Sequence, residues 1–161
     1  MTVARRLEGL GLVLPAVAAP VGAYTPAVRT GALVWTSGQL PFVDGRLLVV
    51  GTVGREVSVQ DAAAAARAAA LNAVAAVGAV LAAGRDDDPV TALERVVRVV
   101  KVTGYVASAP GFTAQPGVLD AASGLLHELF GDAGVHARSA VGVAALPMGA
   151  PVEVELVVGV R

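Results

Sequence analysis

Arg138-Ser-Ala-Val-Gly-Val-Ala-Ala-Leu-Pro147 and Val152-Glu-Val-Glu-Leu-Val-Val-Gly-Val160 are the stretches that decide the fold. Both are dense in β-branched and small residues. They predict strands over Arg138–Ala145 and Val152–Val160, joined around Leu146-Pro-Met-Gly149. In the second strand Val152, Val154, Leu156, Val158 and Val160 share one face, and Glu153, Glu155, Val157 and Gly159 share the other. A strand that carries apolar side chains on both faces needs cover on both.

Upstream, Ser58 stands three residues before Asp61, a capping-box-like helix start, and an Ala-rich run follows to Ala83, with Gly84 placed to end it. Leu71, Val74, Val77, Gly78 and Leu81 recur at three- and four-residue spacing and predict one buried face. Thr91 and Glu94 suit one capped helical turn after the Arg85-Asp-Asp-Asp88-Pro89 break. Val96–Val106 then reads as a strand on its valines, although Arg95, Arg98 and Lys101 recur every third residue and do not alternate. A second helix opens at Pro116 and ends at Gly131, with Val118, Ala122, Leu125, Leu126 and Leu129 as its buried stripe.

Ala32–Thr36 and Leu47–Val50 are expected to pair as a hairpin through a turn at Asp44-Gly45. Residues 1–30 hold Pro15, Pro20, Gly22 and Pro26 and read as an extended arm. The expected organisation is an N-terminal arm over residues 1–19 and a single domain over 20–161. The order is β-β-α-β-α-β-β, an α+β class. Two α-helices cover only one face of a sheet, so the other face calls for a second copy of the chain, a homo-oligomer.

Composition narrows the function. The 161 residues are 55% hydrophobic and 16% charged, with mean hydropathy +0.70, which excludes a disordered chain. The formal net charge of −1 excludes the broad basic field of a non-specific nucleic-acid binder. With no cysteine and two histidines, His127 and His136, no thiolate chemistry, iron–sulfur cluster or multi-histidine metal site is expected. Ala68–Gly84 is too weakly apolar to predict a membrane span. Glu8 and Pro15 interrupt the apolar stretch after Arg5-Arg6, so a secretory leader is not expected and a cytoplasmic location is.

One constellation stands out chemically. Glu153 and Glu155 project from the same face of a valine strand, and Arg138 lies on the preceding strand. If those strands pair, a guanidinium and a carboxylate could converge on one pocket. Arginine donates two parallel hydrogen bonds to a small carboxylate, and a half-buried glutamate can hold a water and move protons. A structural ion pair, or a Glu155 on an exposed rim, explains the same residues. Other features carry less. Asp86–Asp88 lacks the spacing of a calcium loop and reads as a solvated loop. Gly51-Thr-Val-Gly54 lacks the length and lysine of a phosphate loop, and Ser37 with His127 or His136 shows no ordered triad. Arg95, Arg98 and Lys101 read as a solvated edge. Tyr24 suits a core or interface aromatic.

These positions also carry a resemblance. Thr36-Ser-Gly-Gln-Leu-Pro41 and Arg138 to Pro147, closing in Val152-Glu-Val-Glu155, resemble the RidA/YjgF family from about Pro20 to Arg161. The resemblance implies a chorismate-mutase-like mixed sheet with two helices on one face, a homotrimer with clefts between subunits, and no cofactor or metal. It also implies a deaminase that hydrolyses 2-imino and 2-enamino acids to 2-keto acids and ammonium. Carried over by position, Arg138 binds the substrate carboxylate, Glu153 positions or activates water, and Tyr24 enters the cleft from a neighbouring subunit. Ser37 and Gly38 line the pocket. Ala140 departs from the cysteine often found two residues after the arginine in the founding members. The Asp120-Ala-Ala-Ser123 region departs from the family's usual asparagine. The altered pocket leaves a second reading open, a trimeric carboxylate-binding protein without turnover. The ribonuclease activity attached to the family name finds no basic stripe here, and aromatics are only 4%.

Overall fold

The computed structural model describes residues 1–20 and 22–161. Thr2 caps a short helix, α1 (Val3–Gly9), its hydroxyl accepting from the Arg5 amide at 3.3 Å. Two short hairpins follow: β1 (Ala27–Thr30) with β2 (Leu33–Thr36), then β3 (Phe42–Val43) with β4 (Arg46–Leu47). Asp44 and Gly45 join the second pair with φ of 50° and 76°, the left-handed pair a two-residue hairpin turn requires. Helix α2 (Val59–Ala82) starts on Ser58, which accepts from the Asp61 amide at 3.0 Å. Then come α3 (Pro89–Ala92), β5 (Val96–Ala107), α4 (Gln115–Phe130), β6 (Ala137–Val143) and β7 (Val152–Val160).

The main sheet runs β1-β2-β7-β5-β6, parallel between β5 and β6 and antiparallel elsewhere. Helices α2 and α4 pack together on one face, against β7 and β5. Val152, Val154, Leu156 and Val158 are buried beneath them, and so are all five members of the expected α4 stripe. Of the α2 stripe, Val74, Val77, Gly78 and Leu81 are buried and Leu71 is half-buried. Helix α2 is long and apolar enough to cross a membrane, but most of its apolar window is buried inside the protein.

The other face of the sheet has no helix among the described residues. Its exposed side chains include Val28, Trp35, Val97, Val100 and Val141, each 41–52% exposed. The open apolar face expected from the strand pattern is therefore present.

Several local expectations need correction. The arm is not wholly extended: Val3 and Leu7, one turn apart, are buried and seat α1 against α3 and α4. Burying such side chains stabilises by roughly 1.5–3 kcal/mol each, enough to hold a helix too short to persist alone. Val3 N–H also donates to Glu94 at 2.5 Å, and Arg6 donates to the Glu128 carbonyl at 3.0 Å. β2 pairs with β1 and β7, not with Leu47–Val50, of which only Leu47 is in a strand. Asp88, not Thr91, caps α3, accepting from the Val90 and Thr91 amides at 2.9 and 3.1 Å. Arg95 is not a solvated edge residue: it pairs with Asp87 and donates to the Leu81 carbonyl near the end of α2. Irregular register between Val96 and Arg98 and between Val99 and Lys101 explains why the charges on β5 do not alternate.

Gly104 on β5 lies under α4 so closely that a Cβ there would sit 2.1 Å from Leu119 Cδ1. Gly104→Ala should therefore destabilise the protein by about 1–3 kcal/mol. Gly117→Ala, on the exposed side of α4 with nothing within 4 Å, should stabilise it by up to about 1 kcal/mol. Urea unfolding of the two variants checks the pair, and equal effects would contradict this packing.

Candidate functional site

The β2–β7 seam builds one half of the site. Gln39 exchanges backbone hydrogen bonds with Val154 at 2.8 and 3.0 Å, which continues the seam past the end of β2. Gly38 is thereby set against Glu153. A Cβ at Gly38 would lie 1.8 Å from Glu153 Oε1, so only glycine admits the carboxyl here. From the helix side, buried Asn72 donates to the carbonyls of Leu40 and Phe42 at 2.9 and 3.0 Å. It fixes the segment that carries Gly38. Asn72 is not among the site residues expected from the sequence; an amide inside an alanine helix was the available signal.

Tyr24 is half exposed and lines a small cavity of about 40 Å³ with Pro26, Gly38, Gln39, Leu40 and Phe42. Ser37 ties this segment down: its hydroxyl donates to the Thr25 carbonyl at 2.6 Å and its amide to the Pro26 carbonyl at 2.8 Å. Tyr24, Ser37, Gly38 and Glu153 are thus gathered at one end of the sheet.

Glu153 projects onto the open face, paired across the ladder with Tyr105, and Glu155 pairs with Thr103. Tyr105 donates to Glu155 at 3.2 Å. Burial, then the negative charge of Glu155, raises the Glu153 pKa above the ordinary carboxylate value. Burial and Glu155, with a smaller push from Glu153, raise that of Tyr105. Among the described residues no cation pairs with Glu153.

Arg138 is elsewhere. Strands β6 and β7 do not pair; β5 lies between them. Arg138 pairs with Val102, which also pairs with Leu156 of the buried face, so Arg138 and Glu153 project from opposite faces of the sheet. The expected convergence within one chain does not occur. The guanidinium turns instead to α4. It donates to Asp120 at 2.9 Å, to Ser123 Oγ at 3.1 Å and to the Pro116 carbonyl at 3.3 Å. It lines an open cavity of about 370 Å³ with Ser123, His127 and His136. Since β6 is an edge strand, this cavity lies at the rim of the sheet.

The raised pKa of Glu153 has a consequence for stability. The folded chain holds this proton more tightly than the unfolded chain, so stability falls as pH rises through the interval between the two pKa values. Glu153→Gln should therefore raise Tm at about pH 8, and the gain should vanish below about pH 4. Thermal melts of both proteins across that range test this, and an equal or lower Tm for the variant at the higher pH would refute it.

The family model described as "YjgF/chorismate_mutase-like, putative endoribonuclease" matches residues 4–159. Protein TCP17 of Trypanosoma cruzi is 44% identical over 157 residues, covering 97% of this chain and 92% of that protein. A crystal structure of an Agrobacterium tumefaciens protein of unknown function superposes with a TM-score of 0.87 at 40% identity, over 99% of this chain and 92% of that one. E. coli TdcF with bound serine gives 0.60 at 26% identity, over 92% and 95%. With its mixed sheet, two long helices on one face and match over nearly its whole length, the chain belongs to the YjgF/chorismate-mutase-like family.

Proposed function

We propose that the protein is a deaminase that hydrolyses 2-imino and 2-enamino acids, of the 2-aminoacrylate type, to 2-keto acids and ammonium. The observation that carries this reading is the Glu153 carboxyl: half-buried, without a cation and with a raised pKa, it suits a group that holds and polarises water. Arg138 supplies the carboxylate anchor. A protonated imine carbon is already electrophilic, so orientation and proton handling are the main demands on the protein.

The two halves of the site lie on opposite faces of one chain, so they meet only across a boundary between copies. The open sheet face, with Trp35 and its valines, supports a homotrimer whose edge strand β6 brings Arg138 to the Tyr24, Ser37, Gly38 and Glu153 of a neighbour. The catalytic assembly needs no metal or cofactor in this reading. A second reading, a trimeric carboxylate-binding protein without turnover, is favoured by the ion pair that already occupies Arg138 with Asp120. Serine bound to TdcF supports a small amino-acid-like ligand under either reading. An RNA substrate has less support, because the open face carries Glu153 and Glu155 near Gly38 and the net charge is −1.

Imino acids generated by an amino-acid oxidase and trapped with semicarbazide provide the assay. The protein should divert them to keto acid. Arg138→Ala should raise KM about 10- to 100-fold, the loss expected for a charge-assisted contact. Glu153→Gln should stop turnover while sparing binding of a 2-keto acid product, tested with 2-oxobutanoate, the product from 2-iminobutanoate. No diversion by the folded wild type, with 2-oxobutanoate still bound, would select the binding-protein reading. Light scattering should give a trimer, and Trp35→Asp should yield monomers without turnover; a wild-type monomer would sink both readings.

A further inference from the structure

A polar cluster beside Arg138 is more ordered than carboxylate binding requires. Ser123 Oγ lies 2.9 Å from His136 Nε2, and His136 Nδ1 lies 2.5 Å from the Gly134 carbonyl. A carbonyl oxygen only accepts, so Nδ1 bears the proton and Nε2 is the acceptor. Ser123 then donates its hydroxyl proton to His136 while accepting from Arg138 Nη1 at 3.1 Å. Both partners of the hydroxyl are fixed, and all three side chains line the same cavity of about 370 Å³.

We propose that Ser123 and His136 form the proton relay for the substrate anchored by Arg138. This rests on the reading of Arg138 as the carboxylate site. In a 2-imino acid the reacting carbon is bonded directly to the carboxylate carbon. A substrate held by the guanidinium therefore brings that carbon and its nitrogen next to Ser123 Oγ. Glu153 of the same chain is on the far side of the sheet; a neighbour's Glu153 holds and polarises the water in that reading, and Ser123 with His136 carries the proton that the water releases.

The charged and titratable groups that line the cavity with His136 are Arg138 from β6 and His127 from α4, and Asp120 of α4 is bonded to the Arg138 guanidinium. Burial, then the positive charge of Arg138, lowers the His136 pKa, outweighing the Gly134 contact that raises it. His136 is thus a neutral base at neutral pH. Water attacks C2 of the protonated imine, forming the C–O bond as the C=N π pair moves to nitrogen. The proton released by the water passes to Ser123 Oγ as the Ser123 hydroxyl proton passes to His136 Nε2. His136 returns a proton through Ser123 to the amine of the tetrahedral intermediate. The C2–N bond then breaks with its electron pair leaving on nitrogen. The remaining hydroxyl proton goes to the departing ammonia, giving ammonium and the 2-keto acid with His136 neutral again.

The test compares wild type, Ser123→Ala and His136→Gln as full-length protein in the imino-acid assay across pH. Wild-type kcat/KM should fall towards acid pH, with the fall lying on the acid side of the ordinary histidine range because the His136 pKa is lowered. His136→Gln should lower kcat by about 100-fold or more and abolish that acid limb, with KM nearly unchanged. Ser123→Ala should lower kcat similarly. As a readout besides turnover, ring NMR should find His136 protonated at Nδ1, and added 2-oxobutanoate should raise its pKa by placing an anion nearby. A loss confined to KM with the acid limb intact would reduce the pair to supports for Arg138 and overturn the relay. Undiminished turnover in His136→Gln would do the same. Absence of turnover in the wild type would defeat the deaminase reading itself, a result distinct from either.

Discussion

Strand β7 is the constraint on which the rest of the molecule depends. It is central, paired on both edges, and carries apolar side chains on both faces, yet the helices cover one face only. Its Val152, Val154, Leu156 and Val158 are fully buried beneath α2 and α4, while Glu153 and Glu155 alternate with them towards the uncovered side. The period of two places hydrophobic burial and carboxylate chemistry on one short segment, back to back. Carboxylates on a sheet face that also carries exposed Val28, Trp35, Val97, Val100 and Val141 are partly desolvated by their own fold. The upward shift of Glu153 is thus a property of strand placement: its ladder partner Tyr105 and the adjacent Gly38 offer no positive charge, and among the described residues no cation pairs with it.

Much of this was legible from residue pattern because the signals were local. Ser58 with Asp61, the Asp44-Gly45 turn, Pro116 and Gly131 each act on the backbone within a few residues, and each stands where the sequence placed it. The uncovered face was legible too, because it follows from counting helices against two-sided strands. Strand order was not. Nothing local states that β5 inserts between β6 and β7, and that single non-local fact moves Arg138 and Glu153 from neighbours to opposite faces. The arm failed for a related reason. Val3 and Leu7 form a helix only because the body supplies the surface that buries them, and a seven-residue segment has no such signal of its own.

Residues that hold the site are of the same non-local kind. Asn72 lies within α2, but its amide matters because Leu40 and Phe42 return to it some thirty residues away in sequence. Arg95 reads as one of three spaced charges until the end of α2 and Asp87 arrive beside it. Half-buried and buried polar groups of this sort are held by hydrogen bonds whose partners can be known only once the chain is folded. The fold brings these supports together, whereas the identity of the chemistry rests on individual side chains.

Arg138 illustrates how those side chains set the balance. A guanidinium already paired with Asp120 is a weaker anion trap than a free one, because an incoming carboxylate must compete with a resident one. Yet Asp120 is largely exposed, and an exposed ion pair contributes little, of order 0–1 kcal/mol, so the competition is mild. Ser123 and the Pro116 carbonyl each accept a further hydrogen bond and keep the guanidinium plane oriented when Asp120 yields. The arrangement preserves direction at small energetic penalty: the arginine is held in place by weak, replaceable partners on its solvent side and by His136, through Ser123, on its inner side. Under the proposed relay, a carboxylate that displaces Asp120 would enter a site whose proton acceptor is already aligned.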